Sequence, residues 1–155
     1  WRIFQGSLGI VVFLLSQFIF KISLPIVNEP FSIILAVIIV FLGLWISFIY
    51  KMILGFTAFW TTDFWGTLSL NEVFMLVFGG LAMPLTLYPS ILEQIAQLLP
   101  LAYIIYFPVI AIEGLLSTEK MIQIIFFQIL WLGLLYLIYL KFWNNGIKKF
   151  TAVGQ

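Results

Sequence analysis

The chain contains neither cysteine nor histidine, and only 8% of its 155 residues carry a charge. The two missing residue types remove disulfides, thiol nucleophiles, imidazole bases and the commonest soft or borderline metal ligands together. Soluble domains carry about 25% charged residues. Here 64% of the residues are hydrophobic and the mean hydropathy is +1.20, which excludes a water-soluble globule. A formal net charge of +1 supplies no basic field for nucleic acid. No G-x-x-x-x-G-K-[ST] loop is present to cradle nucleotide phosphates in the P-loop manner.

What is present is length of apolar run. GSLGIVVFLLSQFIF (6–20) and FSIILAVIIVFLGLWISFIY (31–50) approach or reach the roughly 20 residues that carry a helix across about 30 Å of hydrocarbon. These runs are continuous and lack the alternation of barrel strands, so helices are the class that remains. The chain opens on Trp1 without a recognisable signal peptide and reads as the C-terminal portion of a longer protein.

The expected fold is all-α: one polytopic transmembrane helix bundle over residues 1–155, with four full spans plus a re-entrant helix pair on the outer face. The first span is placed at 6–23 and ends before Pro25. Pro30 opens the second, which runs from Phe31 to Trp60 and would measure about 45 Å, so it tilts or protrudes, with Lys51 snorkelling. The polar stretch TTDFWGTLS (61–69) reads as a loop. Ser69 and Glu72, in S-x-x-E spacing, then start a third span that ends at Pro84. Ser90 and Glu93 repeat that spacing after Pro89 and before Pro100. In this short piece Ile91, Leu92, Ile95, Leu98 and Leu99 share one face, while Glu93, Gln94 and Gln97 share the other, the pattern of an interfacial helix. LAYIIYFPVIAIEG (101–114) is too short for a full span and carries Pro108, so 90–115 reads as re-entrant or interfacial. Ser117, Thr118 and Glu119 start the last span, which reaches Lys141 or Trp143 and ends on a left-handed cap at Asn144, Asn145 and Gly146.

Four spans and one excursion leave both ends on the same side. With the ends inside, Arg2, Lys51, Lys141, Lys148 and Lys149 face the cytoplasm, against Lys21 and Lys120 outside, as the positive-inside rule requires. Trp60, Trp65, Tyr88, Tyr103, Tyr106 and Trp143 fall near expected span ends and read as interfacial aromatic belts.

The region from Gly79 to Gly114 is the anomaly. Pro84, Pro89, Pro100 and Pro108 each remove a backbone donor from an apolar stretch, and Gly79 with Gly80 allows close packing or a local break. An unsatisfied backbone group at membrane depth costs several kcal/mol unless protein or water covers it. Such a segment implies a cavity, a partner subunit, or both. Glu113, beside Gly114, stands where a substrate at the outer mouth would pass, although a carboxylate at headgroup level is also ordinary.

FGGLAMP, then PSILEQIAQLLP, then YFPVIAIEG, then a final span with an internal Trp and the tail NNGIKKFTAVGQ resembles, in that order, the permeases of type-2 ATP-binding-cassette exporters. The closest likeness is to the branch with poorly defined substrates. The resemblance implies a six-span permease of which the first two spans are missing here. It further implies a second permease subunit, identical or different, and separate ATPase subunits that hold ATP and Mg, with no cofactor in this chain. On this likeness Gly79, Gly80, Pro84, Pro89, Pro100, Pro108, Glu113 and Gly114 belong to an outer re-entrant gate. Thr62, Asp63 and Trp65 lie in a loop near the ATPase. The location implied is a bacterial cytoplasmic membrane, with the C-terminus inside. A non-transporting membrane scaffold or a membrane-embedded lipid transferase are the alternatives. The transferase is disfavoured by the lack of His, Cys and paired carboxylates within a span.

Overall fold

The computed structural model describes residues 11–12, 15, 29–59 and 64–153. Among these residues there are helices and turns but no strand. The helices are α1 Pro30–Phe56, α2 Phe64–Phe78, α3 Ser90–Leu98, α4 Pro100–Ile104, α5 Tyr106–Ile112 and α6 Thr118–Val153, with 3-10 turns at Thr57–Phe59 and Leu85–Leu87. The span expected at 6–23 lies almost wholly outside the described residues.

α1 begins where Pro30 places it, because proline at the first helical position gives up only an amide that has no partner there. Its 27 residues measure about 40 Å. The α-helix stops at Phe56, a turn short of the expected Trp60, where the Thr57 hydroxyl donates to the Leu54 carbonyl at 2.6 Å. α6 starts at the predicted place: Ser117 accepts the Lys120 amide on its Oγ at 3.4 Å.

α1 and the Thr118–Gly146 part of α6 are each long and apolar enough to cross a membrane. A third span exists only if α3 and the α4–α5 stretch, bent by 66°, are counted as one. Four full spans are therefore more than the described helices provide. The third expected span is α2, whose 15 residues measure about 22 Å and fall short of the hydrocarbon.

Three expected helix ends are corrected. α2 starts at Phe64, so Ser69 and Glu72 lie inside it and not at its start, and two thirds of the expected loop 61–69 is helix. α3 starts at Ser90 with Pro89 as its cap residue and no side-chain cap, because proline has no polar side chain to offer and no N–H for Glu93 to accept, and Glu93 accepts Gln97 Nε2 at 2.9 Å. α6 runs through Asn144, Asn145 and Gly146 to Val153. Helix-compatible residues follow the glycine, and the roughly 1 kcal/mol that a helical glycine costs is outweighed by the continuing hydrogen bonds.

α1 and α6 pack along each other, and the bent segment wedges against both at one end. Leu35, Ala36, Ile39, Ala102, Tyr103, Phe107, Met121 and Ile124 form the core there. The outward faces stay apolar: Leu44, Phe126 and Leu137 are 64%, 63% and 65% exposed. In water such faces would be a liability, whereas against lipid tails they are ordinary, and helix association rests on close packing and interhelical hydrogen bonds. At the far end Phe56 packs on Tyr139 and Trp143 with centroids 5.4 and 5.6 Å away. Trp143 is exposed and Trp65 largely so, as a belt requires, but Tyr103 and Tyr106 are buried and belong to the core.

Candidate functional site

The broken stretch from Gly79 to Gly114 is built break by break. α2 ends at Phe78, and a Cβ on Gly79 would run into the Met75 carbonyl oxygen. Gly80 takes φ 76°, in the left-handed region that glycine enters freely, and the chain turns so that Ala82 N–H reaches the Leu76 carbonyl at 3.1 Å. The Tyr106 side chain lies directly on Gly80, with its Cβ 3.1 Å and its ring 3.2 Å from where a Cβ would sit.

Pro84 then caps the Leu85–Leu87 turn, in which Leu85 is fully buried. The Tyr88 hydroxyl donates to the Val77 carbonyl at 3.0 Å and ties this turn to the end of α2. Pro89 caps α3, and an extended Leu99 followed by Pro100 separates α3 from α4. Ile105, with φ −126° and ψ −62°, separates α4 from α5. Pro108 falls in the first turn of α5, where its missing N–H costs no helical bond.

The segment ends in a Schellman motif. Gly114, at φ 71°, donates to the Ala111 carbonyl at 3.3 Å, and Leu115 donates to the Ile110 carbonyl at 3.1 Å. Pro84 and Glu113 line one cavity of about 480 Å³ with Gly80 and Tyr106. The structure thus divides the residues singled out in the sequence. Gly80, Pro84 and Glu113 meet at that cavity, with Gly79 and Gly114 beside them in the chain. Pro100 and Pro108 are buried on the inner side, and Pro89 stands exposed and apart. Trp65 is 79% exposed in the first turn of α2, while Thr62 and Asp63 lie outside the described residues.

One residue at the centre escaped the sequence reading. Gln128, about a third of the way along α6 and fully buried, donates Nε2 to the Ile39 carbonyl of α1 at 2.9 Å and to the Tyr103 carbonyl of α4 at 3.2 Å. Its Oε1 is buried without a hydrogen-bond partner. The α4–α5 break interrupts the helical ladder at Tyr103, and Gln128 reaches across from another helix to satisfy its carbonyl, as broken backbone at membrane depth requires. Gly43 makes the approach feasible, because a Cβ there would sit 2.9 Å from the Tyr103 carbonyl oxygen and 3.1 Å from the Pro108 ring. The available signal was the pair of amides in the otherwise apolar run QIIFFQILWLG. Gln123 and Gln128 look alike in the sequence, yet they project on different faces of α6, one exposed and one buried.

The site is a packing arrangement with no grouping suited to metal chemistry among the described residues. A family model described as ABC-2 family transporter protein matches residues 1–154. The chain belongs to that family. It is a multi-pass membrane component of a transporter and not itself a catalyst. No curated protein and no solved structure matches it. The likeness seen in the order of breaks and in the tail is therefore a family relationship. In this ABC-2 chain the broken segment is clasped at its centre by one glutamine and opens at one end on a cavity with a carboxylate.

Proposed function

We propose that this chain is a permease subunit of an exporter in a bacterial cytoplasmic membrane. It forms the substrate path with a second permease, identical or different, and is driven by separate ATPase subunits that bind ATP with Mg. Both ends of the chain face the cytoplasm. The observation that carries the reading is the bent α3–α5 segment, wedged between two long apolar helices and closed by Gln128 in a chain of the ABC-2 family.

The bent segment is the outer gate. Gly79, Gly80 and Gly114 supply its turns, Pro84, Pro89 and Pro100 its breaks, Pro108 its packing against Gly43, and Glu113 the carboxylate at its mouth. The exposed Trp65 and the neighbouring Thr62 and Asp63 face the ATPase. The residues 1–155 are one domain, the C-terminal part of a six-span permease, with 90–115 re-entrant. The apolar groove of about 510 Å³ along α1, lined by Ile33, Val37, Phe41 and Leu44, offers a wall against which the second permease closes the path.

Purification of the full-length protein from its native membrane in mild detergent, followed by intact-complex mass spectrometry, tests the reading. The expected species contains two permease chains and two nucleotide-binding ATPases. A stable species without ATPase would overturn it and bring the scaffold reading forward. A reporter fused to the C-terminus is expected on the cytoplasmic side, and an outer location would overturn the topology.

A further inference from the structure

A second cavity, of about 350 Å³, lies between α3 and the first turns of α6, away from Glu113. Its polar rim is built by Gln94 and Gln97 from α3 and by Lys120 and Gln123 from α6. Its floor is aromatic, with Tyr103 and Phe107 buried and Phe127 partly open. No carboxylate lines it. The nearest acid on α3, Glu93, is engaged as acceptor of Gln97 Nε2, which also holds that amide in place.

The position of this cavity decides what reaches it. Lys120 stands in the first turn of the apolar span Thr118–Gly146, and α3 adds an exposed apolar Leu98, at 68%, to the cavity lining and leaves Ile91 exposed at 74%. The cavity therefore opens at headgroup level, with a wet rim and a greasy interior.

We propose that it binds a monoanionic phospholipid of the surrounding bilayer, with the phosphodiester on Lys120 and the remaining headgroup oxygens on the three glutamines. The charges match, because one ammonium without a lining carboxylate suits one negative charge and leaves an amine-bearing headgroup nothing to pair with. The amides both donate and accept, which suits hydroxyls and ester oxygens. The first acyl carbons cover Phe127 and Leu98. A lipid seated there bridges α3 to α6 and bears on the same Tyr103 whose carbonyl Gln128 holds. The proposal is independent of what the transporter carries.

The full-length protein in mild detergent, offered equal phosphatidylglycerol and phosphatidylcholine, is examined by native mass spectrometry. It is expected to retain phosphatidylglycerol about tenfold over phosphatidylcholine, the scale of one charge-assisted hydrogen bond. Lys120→Gln is expected to abolish the preference, Lys120→Arg to keep it, and the double variant Gln94→Ala, Gln123→Ala to reduce it, each at unchanged elution volume. Glycerol phosphate without acyl chains is expected not to displace the lipid. Equal retention of the two lipids, a preference that survives Lys120→Gln, or displacement by glycerol phosphate would overturn the proposal.

Discussion

The α1–α6 pair and the α2–α5 stretch are both apolar, yet one is two long helices and the other is four short ones. Hydropathy does not separate them. Backbone chemistry does: the broken stretch holds four of the six prolines and both of the positive-φ glycines found among the described residues. Each break ends a hydrogen-bond ladder, and polar contacts answer three of them, with Tyr88 on Val77, the Gly114 turn on Ile110 and Ala111, and Gln128 reaching from α6 to Tyr103. The continuous pair needs no such repairs and supplies the frame on which they are made. An apolar broken segment is thus held by a few polar contacts, and each can be removed singly.

The largest effect should come from forcing the two regions apart. Gly43→Leu pushes a side chain into the Tyr103 carbonyl and the Pro108 ring. It is expected to cost about 3 kcal/mol or more, near the upper range for overpacking, and to expose the bent segment to limited proteolysis in detergent. An unchanged proteolysis pattern would show that the α1–α4 approach is not tight.

Next is the clasp. Gln128→Leu keeps the volume and removes both donated bonds, and it should lower stability by about 1–2 kcal/mol, read as a lower melting temperature of the detergent-solubilised protein. An unchanged or higher melting temperature would mean that relief of the orphaned Oε1 outweighs the lost bonds.

Gly80→Ala places a Cβ at φ 76° and against Tyr106. A cost of about 1–2 kcal/mol is expected, again in melting temperature, and Gly55→Ala, which meets open space, serves as the control. Equal shifts for the two would remove the special standing of Gly80.

The smallest structural effect is expected from Glu113→Gln, since Glu113 is only half-buried at the cavity mouth. Melting should move by less than about 0.5 kcal/mol equivalent, while substrate-stimulated ATPase activity of the assembled complex changes at least severalfold. Activity equal to that of the parent would remove Glu113 from the mouth's function.

Much of this arrangement is legible in the residues. Pro30 marks the start of α1, Ser117 the cap of α6, and Pro84, Pro89 and Pro100 announce breaks that occur where they stand, whereas Pro108 lies inside α5 and the break nearest it falls at Ile105. The two S-x-x-E patterns misled because a capping box needs its serine just outside the helix. Ser69 sits within α2 and Ser90 at the first helical position of α3. Asn144, Asn145 and Gly146 misled for the same kind of reason: a left-handed glycine ends a helix only where the chain turns, and here it does not.

The sequence by itself determined the solvent and the class. Long uncharged apolar runs admit only helices in a bilayer, and proline and glycine mark several of the places where those helices start or stop. Tertiary structure alone decided which of two glutamines five residues apart is buried, which tyrosines leave the interface for the core, and why Gly43 must stay small. Those outcomes depend on what another helix brings within 3 Å or so, and hydrogen bonds and close contacts at that range are properties of paired surfaces, which local residue order does not encode.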